Sequence, residues 1–146
     1  MSEELRDLYQ KLVIDHARRP RNFCRPQGAG RTAEGNNPLC GDRIAIHLVL
    51  AGEMVEEIGF TGEGCAISIA SASLMTCAMK SKTCAEAEAL FERVQAMLAG
   101  SGQPDGMGDL AALSGVRQFP ARVKCAALAW HALLSALRGE GAVSTE

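Results

Sequence analysis

Three cysteines and one aspartate stand where backbone chemistry makes their side chains available. Cys40 lies in a Pro-Leu-Cys-Gly-Asp stretch, where Pro38 stiffens the entry and Gly41 permits a sharp turn that presents the sulfur. Cys65 follows Gly62 and Gly64 at an expected strand-to-helix junction, and Cys125 falls in the expected first turn of the last helix. Both helix positions set sulfur near unpaired N–H groups and the positive end of the macrodipole, which favours the thiolate. Arg122 and Lys124 push Cys125 the same way. Asp42, two residues after Cys40, adds a carboxylate that can point into the same space. Three thiolates and a carboxylate make an acceptable tetrahedral zinc set and a deficient iron-sulfur set, because stable clusters usually take four thiolates. Spacing alone decides nothing. There is no C-x-x-C, the long intervals match no compact zinc module, and plain buried thiols stay the larger alternative on that ground.

The elements that must position these residues follow from periodicity. Ser2 is the expected cap of a first helix whose Leu5, Leu8, Tyr9, Leu12 and Val13 form one stripe, closed by Pro20. Residues 21–41 are rich in Gly, Pro, Asn and Arg and read as an exposed loop, too long for an idle connector. The stretch 43–51 alternates, with Ile44, Ile46, Leu48 and Leu50 on one face, and Gly52-Glu53 turns it into 54–60 as an antiparallel hairpin. Residues 65–79, rich in small residues and free of Gly and Pro, suit a tightly packed helix. Thr83 and Glu86 form a capping box for a third helix lined by Leu90, Phe91, Val94, Met97 and Leu98, which Gly100 ends. After a flexible 100–108 come a short helical piece at 109–114, an extended link at 116–122 containing Pro120, and a last helix over about 122–138. That helix buries Val123, Ala127, Trp130, Leu134 and Leu137. The tail over about 139–146 reads as frayed.

With 146 residues, 47% of them hydrophobic and 22% charged, the chain is a single globular domain, outside the ranges of fibrous and disordered proteins. A formal charge of −2 gives no general attraction to nucleic acid. No apolar run is long enough for a membrane span, and the N-terminus lacks a basic-then-apolar leader pattern, so a cytoplasmic protein is expected. In a reducing compartment six cysteines point to thiolate chemistry, metal ligation or burial rather than disulfides. Arg18, Arg19, Arg21, Arg25 and Arg31 lie in a stretch without acidic residues, read either as a solvated loop or as a docking patch for an acidic partner. Cys77 and Cys84 read as small buried hydrophobes, and Cys24 as an exposed, oxidisable thiol. His16, His47 and His131 read as structural or surface groups, and Ser68, Ser71 and Ser73 as helix-packing residues.

The sequence around the three thiols carries a resemblance. Asn-Pro-Leu-Cys-Gly-Asp at 37–42, Gly-Glu-Gly-Cys-Ala-Ile-Ser-Ile-Ala-Ser-Ala-Ser at 62–73 and Phe-Pro-Ala-Arg-Val-Lys-Cys-Ala-Ala-Leu-Ala-Trp at 119–130 resemble the three cysteine motifs of the IscU/NifU-type iron-sulfur cluster assembly family. Tyr9, the run Val13 to His16, and Pro20, Arg21 and Asn22 are similar to its N-terminal helix and loop. Within the family the chain is most similar to the SufU branch. Lys124 stands where IscU-type chains place a histidine before the third cysteine, the interval between Cys65 and Cys125 is longer, and Phe119 to Arg122 replaces a chaperone-binding segment. An ammonium is a poor ligand.

The resemblance implies one α+β domain over 1–146, with a small antiparallel three-stranded sheet and about five helices packed on it. It implies a zinc ion held by Cys40, Asp42, Cys65 and Cys125, with iron or a [2Fe-2S] cluster on the same ligands as the alternative. The implied activity is iron-sulfur cluster biogenesis as a zinc-dependent sulfurtransferase. Cys40 would accept persulfide sulfur from a pyridoxal-phosphate (PLP) dependent, SufS-like cysteine desulfurase and pass it to downstream iron-sulfur assembly proteins. A scaffold for a labile [2Fe-2S] cluster is the alternative, and neither nucleic acid nor membrane is implied. By analogy a histidine of the desulfurase takes over a zinc position and frees Cys40, whose glycine-flanked loop makes it the easiest ligand to release. Arg122 is the candidate assisting residue, pairing with Asp42 or a partner; its alternative role is to offset the negative charge of the site.

Overall fold

The computed structural model describes residues 3–144; the expected helix cap Ser2 lies outside them. The described chain runs α1 (Glu3–Arg18), β1 (Arg31–Asn37), β2 (Asp42–Ala51), β3 (Met54–Glu63), α2 (Ala66–Met79), α3 (Cys84–Leu98), a 3-10 helix (Gly108–Gln118), α4 (Pro120–Leu137) and β4 (Ala142–Ser144). β1, β2 and β3 pair as the expected three-stranded antiparallel sheet, in the order β3-β2-β1, and β4 adds in parallel beyond β1. The hairpin turns at Gly52, whose φ of +63° suits glycine.

Three expectations change. The stretch read as a loop contains β1, whose polar residues pair in register with β2 from Arg31 opposite Leu48 to Asn37 opposite Asp42. Its side chains carry no strand signal; the backbone ladder and the burial of Ala33 hold it. The tail read as frayed returns to the open edge of β1, where the Glu34 N–H donates to the Gly141 carbonyl at 2.9 Å. Finally, the link at 116–122 is not extended: the 3-10 helix continues to Gln118 and α4 opens on Pro120, a residue well tolerated in a helix's first turn.

α4 is the central helix, packed on β1, β2 and α2. It comes close because Gly35 has no side chain: a Cβ there would sit 3.0 Å from Leu128 and 3.3 Å from Ala132. Ile44, Ile46 and Leu48 face it from the sheet and are fully buried, as are Phe60 on β3 and Trp130 on α4. α3 forms as expected, with the Thr83–Glu86 capping box made in both directions. The stripe of α1 is only partly covered, and Leu8 stays exposed. α1 is tied to α2 through His16, whose Nδ1 lies 2.7 Å from the Ser73 hydroxyl. Beyond it the chain crosses to the edge of β3, where the Phe60 N–H donates to the Asn22 carbonyl at 2.9 Å.

Candidate metal centre

Strand alternation fixes Asp42. It shares the inward face with Ile44, Ile46 and Leu48, so its carboxylate points under the helices and is completely buried. The turn before it does the opposite for Cys40. Asn37 accepts from the Leu39 N–H through its side chain and from the Cys40 N–H through its carbonyl, each at 3.2 Å, and Gly41 reverses the chain at φ +72°. Cys40 is left exposed beside a buried carboxylate two positions on.

Cys65 is the N-cap residue of α2, in extended conformation. Its N–H donates to Asp42 Oδ1 at 2.9 Å, so the carboxylate occupies the anion position at a helix start. The Cys65 sulfur is 3.8 Å from Asp42 Oδ2. From α4, Cys125 brings a fully buried sulfur to 3.4 Å from that of Cys40. The ligand atoms of Cys40, Asp42 and Cys125 all lie within 4.8 Å of one another, whereas the Cys65 sulfur stands outside this mutually close group and touches it only at Asp42. A tetrahedral zinc site with bonds of about 2.3 Å separates its sulfurs by roughly 3.8 Å. The Cys40–Cys125 spacing and the soft donor set fit such an ion, and Cys65 must draw in toward the other three to complete four ligands.

Cys125 departs from expectation. Because α4 begins at Pro120, this thiol lies beyond the first turn, away from the unpaired N–H groups, and burial pushes its pKa well above the ordinary thiol value. The Cys40 and Asp42 hydrogen bonds and the nearby Cys65 push the same way, and only the hydrogen bond from Arg122 opposes them. Such a thiol becomes a thiolate when a cation shares its space, which is what the donor set offers. Arg122 itself is exposed; the hydrogen bond to Cys125, then the charges of Cys65, Cys125 and Cys40, hold its guanidinium charged. It faces the sulfurs, while the Asp42 oxygens are taken by the Cys65 N–H and the Ser68 hydroxyl.

Ser68, read from the sequence as a helix-packing residue, instead bonds the Asp42 carboxylate. Its position three residues after Cys65, on the same side of the first turn of α2, was the available signal. Outside the centre, Cys24 is exposed as expected and Cys84 is half-buried. Cys77 is exposed rather than buried, because it is an outward position on a helix otherwise covered from Ser71 to Thr76. His47 bridges Thr32 and Thr61, and His131 bonds Gln95, so both are structural like His16. Of the five arginines, Arg21 pairs with Asp15 at 2.6 Å and Arg31 donates to the Leu137 carbonyl at the end of α4 at 2.7 Å. Among the described residues, no helix is long and apolar enough to cross a membrane.

Residues 8–137 match the family model described as the NifU-like N terminal domain. The chain is 44% identical over 131 residues to the zinc-dependent sulfurtransferase SufU of Bacillus subtilis, covering 86% of each protein. It is 39% identical over 137 residues to the iron-sulfur cluster assembly scaffold protein IscU of Streptococcus pyogenes, covering 92% of this chain and 86% of that protein. Among solved structures, a candidate scaffold protein for the SUF system from Fervidobacterium islandicum superposes with a TM-score of 0.83 at 28% identity, over 93% of this chain and 99% of the other.

Proposed function

The chain belongs to the NifU-like N-terminal domain family, and from that membership and its thiol-carboxylate centre we propose a zinc-dependent acceptor and carrier of persulfide sulfur in iron-sulfur cluster biogenesis. Cys40, Asp42, Cys65 and Cys125 would hold the zinc ion. Bound zinc would keep Cys40 as a thiolate and shield its sulfur from over-oxidation. The donor would be a PLP-dependent cysteine desulfurase of the SufS kind, and the recipients downstream iron-sulfur assembly proteins.

One observation carries this reading: within a single cluster, Cys40 is exposed on a glycine turn while Cys125, 3.4 Å away, is fully buried. One thiol is built to meet a partner and the others to stay. The released Cys40 thiolate attacks the terminal sulfur of the donor persulfide. A new S–S bond forms at Cys40 as the donor S–S bond breaks, and the donor cysteine leaves as a thiolate, so electrons balance without another reactant. Asp42, Cys65 and Cys125 keep the frame. Arg122, exposed beside all three sulfurs, supplies positive charge where anionic sulfur gathers and can face a partner. That charge matters, because three thiolates and one carboxylate outweigh a divalent ion by two.

The test is desulfurase turnover on adding the purified protein, together with its metal content. The reading predicts close to one zinc per chain and a strong rise in turnover that Cys40→Ala abolishes. Full activation by Cys40→Ala would instead indicate a purely structural or interaction module. A second reading, a scaffold for a labile [2Fe-2S] cluster, is supported by the likeness to the Streptococcus pyogenes protein. It predicts bound iron, and cluster transfer to an apo-protein after anaerobic reconstitution.

A further inference from the structure

The Ser68 side chain is completely buried and reaches three of the four candidate ligand residues. Its hydroxyl oxygen lies 2.6 Å from Asp42 Oδ2, 3.1 Å from the Cys125 carbonyl oxygen and 3.8 Å from the Cys65 sulfur. A hydroxyl has one proton to donate. The contact to Asp42 is the shortest and is charge-assisted, so the proton goes there. Asp42 Oδ1 accepts from the Cys65 N–H at the same time. With a donor on each oxygen, the carboxylate can neither spin nor swing. Gly64 closes the remaining side, since a Cβ there would lie 2.9 Å from Oδ1.

We propose that Ser68 is a positioning residue of the metal centre, holding the Asp42 carboxylate in the one orientation from which it can complete the ligand set. This rests on the reading of Asp42 as a ligand and adds to it the group that orients that ligand. Two hydrogen bonds fix a side chain that would otherwise sample several rotamers, so the ordering is done before the ion arrives. A packing serine that merely links α2 to α4 through the Cys125 carbonyl would not need the contact to Asp42.

The experiment is zinc affinity of the apo-protein, measured by competition with a chromophoric chelator, in a cycle of Ser68→Ala, Asp42→Ala and the double variant. Loss of an outer partner of this kind typically costs 10- to 100-fold in metal affinity, and we expect about that loss for Ser68→Ala. In the Asp42→Ala background the same change should cost nothing further, because there is no carboxylate left to orient. An equal loss in both backgrounds, or no loss in the parent, overturns the proposal. If Asp42→Ala itself leaves affinity unchanged, the reading of Asp42 as a ligand fails and the proposal with it. Ser68→Thr and Ser68→Val guard against simple misfolding. The two are close in volume, so the proposal requires Thr to bind zinc more tightly than Val, and equal affinities contradict it.

Discussion

The sulfurs of Cys40 and Cys125 lie 3.4 Å apart, from positions 85 residues apart in the chain, yet solvent reaches only the first. The asymmetry follows from how each is delivered. A turn at the end of the sheet carries Cys40 outward, whereas α4, packed between α2 and the sheet, carries Cys125 under cover. Thiol alkylation of the apo-protein at neutral pH should therefore modify Cys40 quickly, along with exposed Cys24 and Cys77, and Cys125 far more slowly. Peptide mass mapping reads this directly. Added zinc should protect Cys40 and leave Cys24 and Cys77 reactive; equal protection of all three would contradict the centre.

Zinc should also stabilise the fold, because its candidate ligands come from the β1–β2 turn, the start of β2, the start of α2 and the body of α4. At a free zinc concentration about 100-fold above Kd, binding adds about 2.7 kcal/mol. For a domain of this size that is a rise in Tm of roughly 5–10 °C. Calorimetry with and without a chelator checks it, and Cys125→Ala should remove most of the zinc-dependent shift.

The glycines near the centre give a graded stability test. At Gly62, φ is +131° and a Cβ would run into the Arg43 carbonyl, so Gly62→Ala should cost about 3 kcal/mol or more through strain and overpacking together. At Gly41, φ is +72° but the space is open, so Gly41→Ala should cost only about 1 kcal/mol. Urea denaturation of the apo-proteins separates the two.

Acid should weaken the fold through its histidines. Burial lowers the pKa of His16, His47 and His131 below the usual value of 6.5. For His16 the nearby Arg21 adds to this, while Asp15 and Asp109 partly offset it. Ser73 accepts from the Arg21 N–H at 2.8 Å, so its own proton points at His16 Nδ1, which must then be unprotonated. Below 6.5 the unfolded chain takes up protons that the folded chain refuses. Stability is therefore complete above that value and falls as pH drops toward the lowered folded values. Thermal melts between about pH 7 and pH 5 should show the decline, and His16→Asn should flatten it.

Much of this centre can be read from the sequence, and the reasons differ from residue to residue. The inward aim of Asp42 follows from the alternation that continues through Ile44, Ile46 and Leu48. The Cys65 junction follows from its glycines and the small-residue helix after it. β1 is invisible because Arg31 to Asn37 are held by backbone pairing, a non-local contact that leaves no pattern in the side chains. Pro120 misleads because the same residue that breaks a helix interior also starts one well, and the two-residue shift moves Cys125 out of the first turn. Ser68 looks like any small packing residue until Asp42, from the far side of the hairpin, is placed against it.

The most direct test of the whole account is to locate the transferred sulfur. The zinc-loaded protein would be mixed with a SufS-like desulfurase and cysteine, persulfides would be trapped with an alkylating reagent, and the peptides would be mapped by mass spectrometry. The account predicts one additional sulfur on the peptide carrying Cys40. Sulfur on Cys24 or Cys77 instead, or transfer that survives in Cys40→Ala, would contradict it.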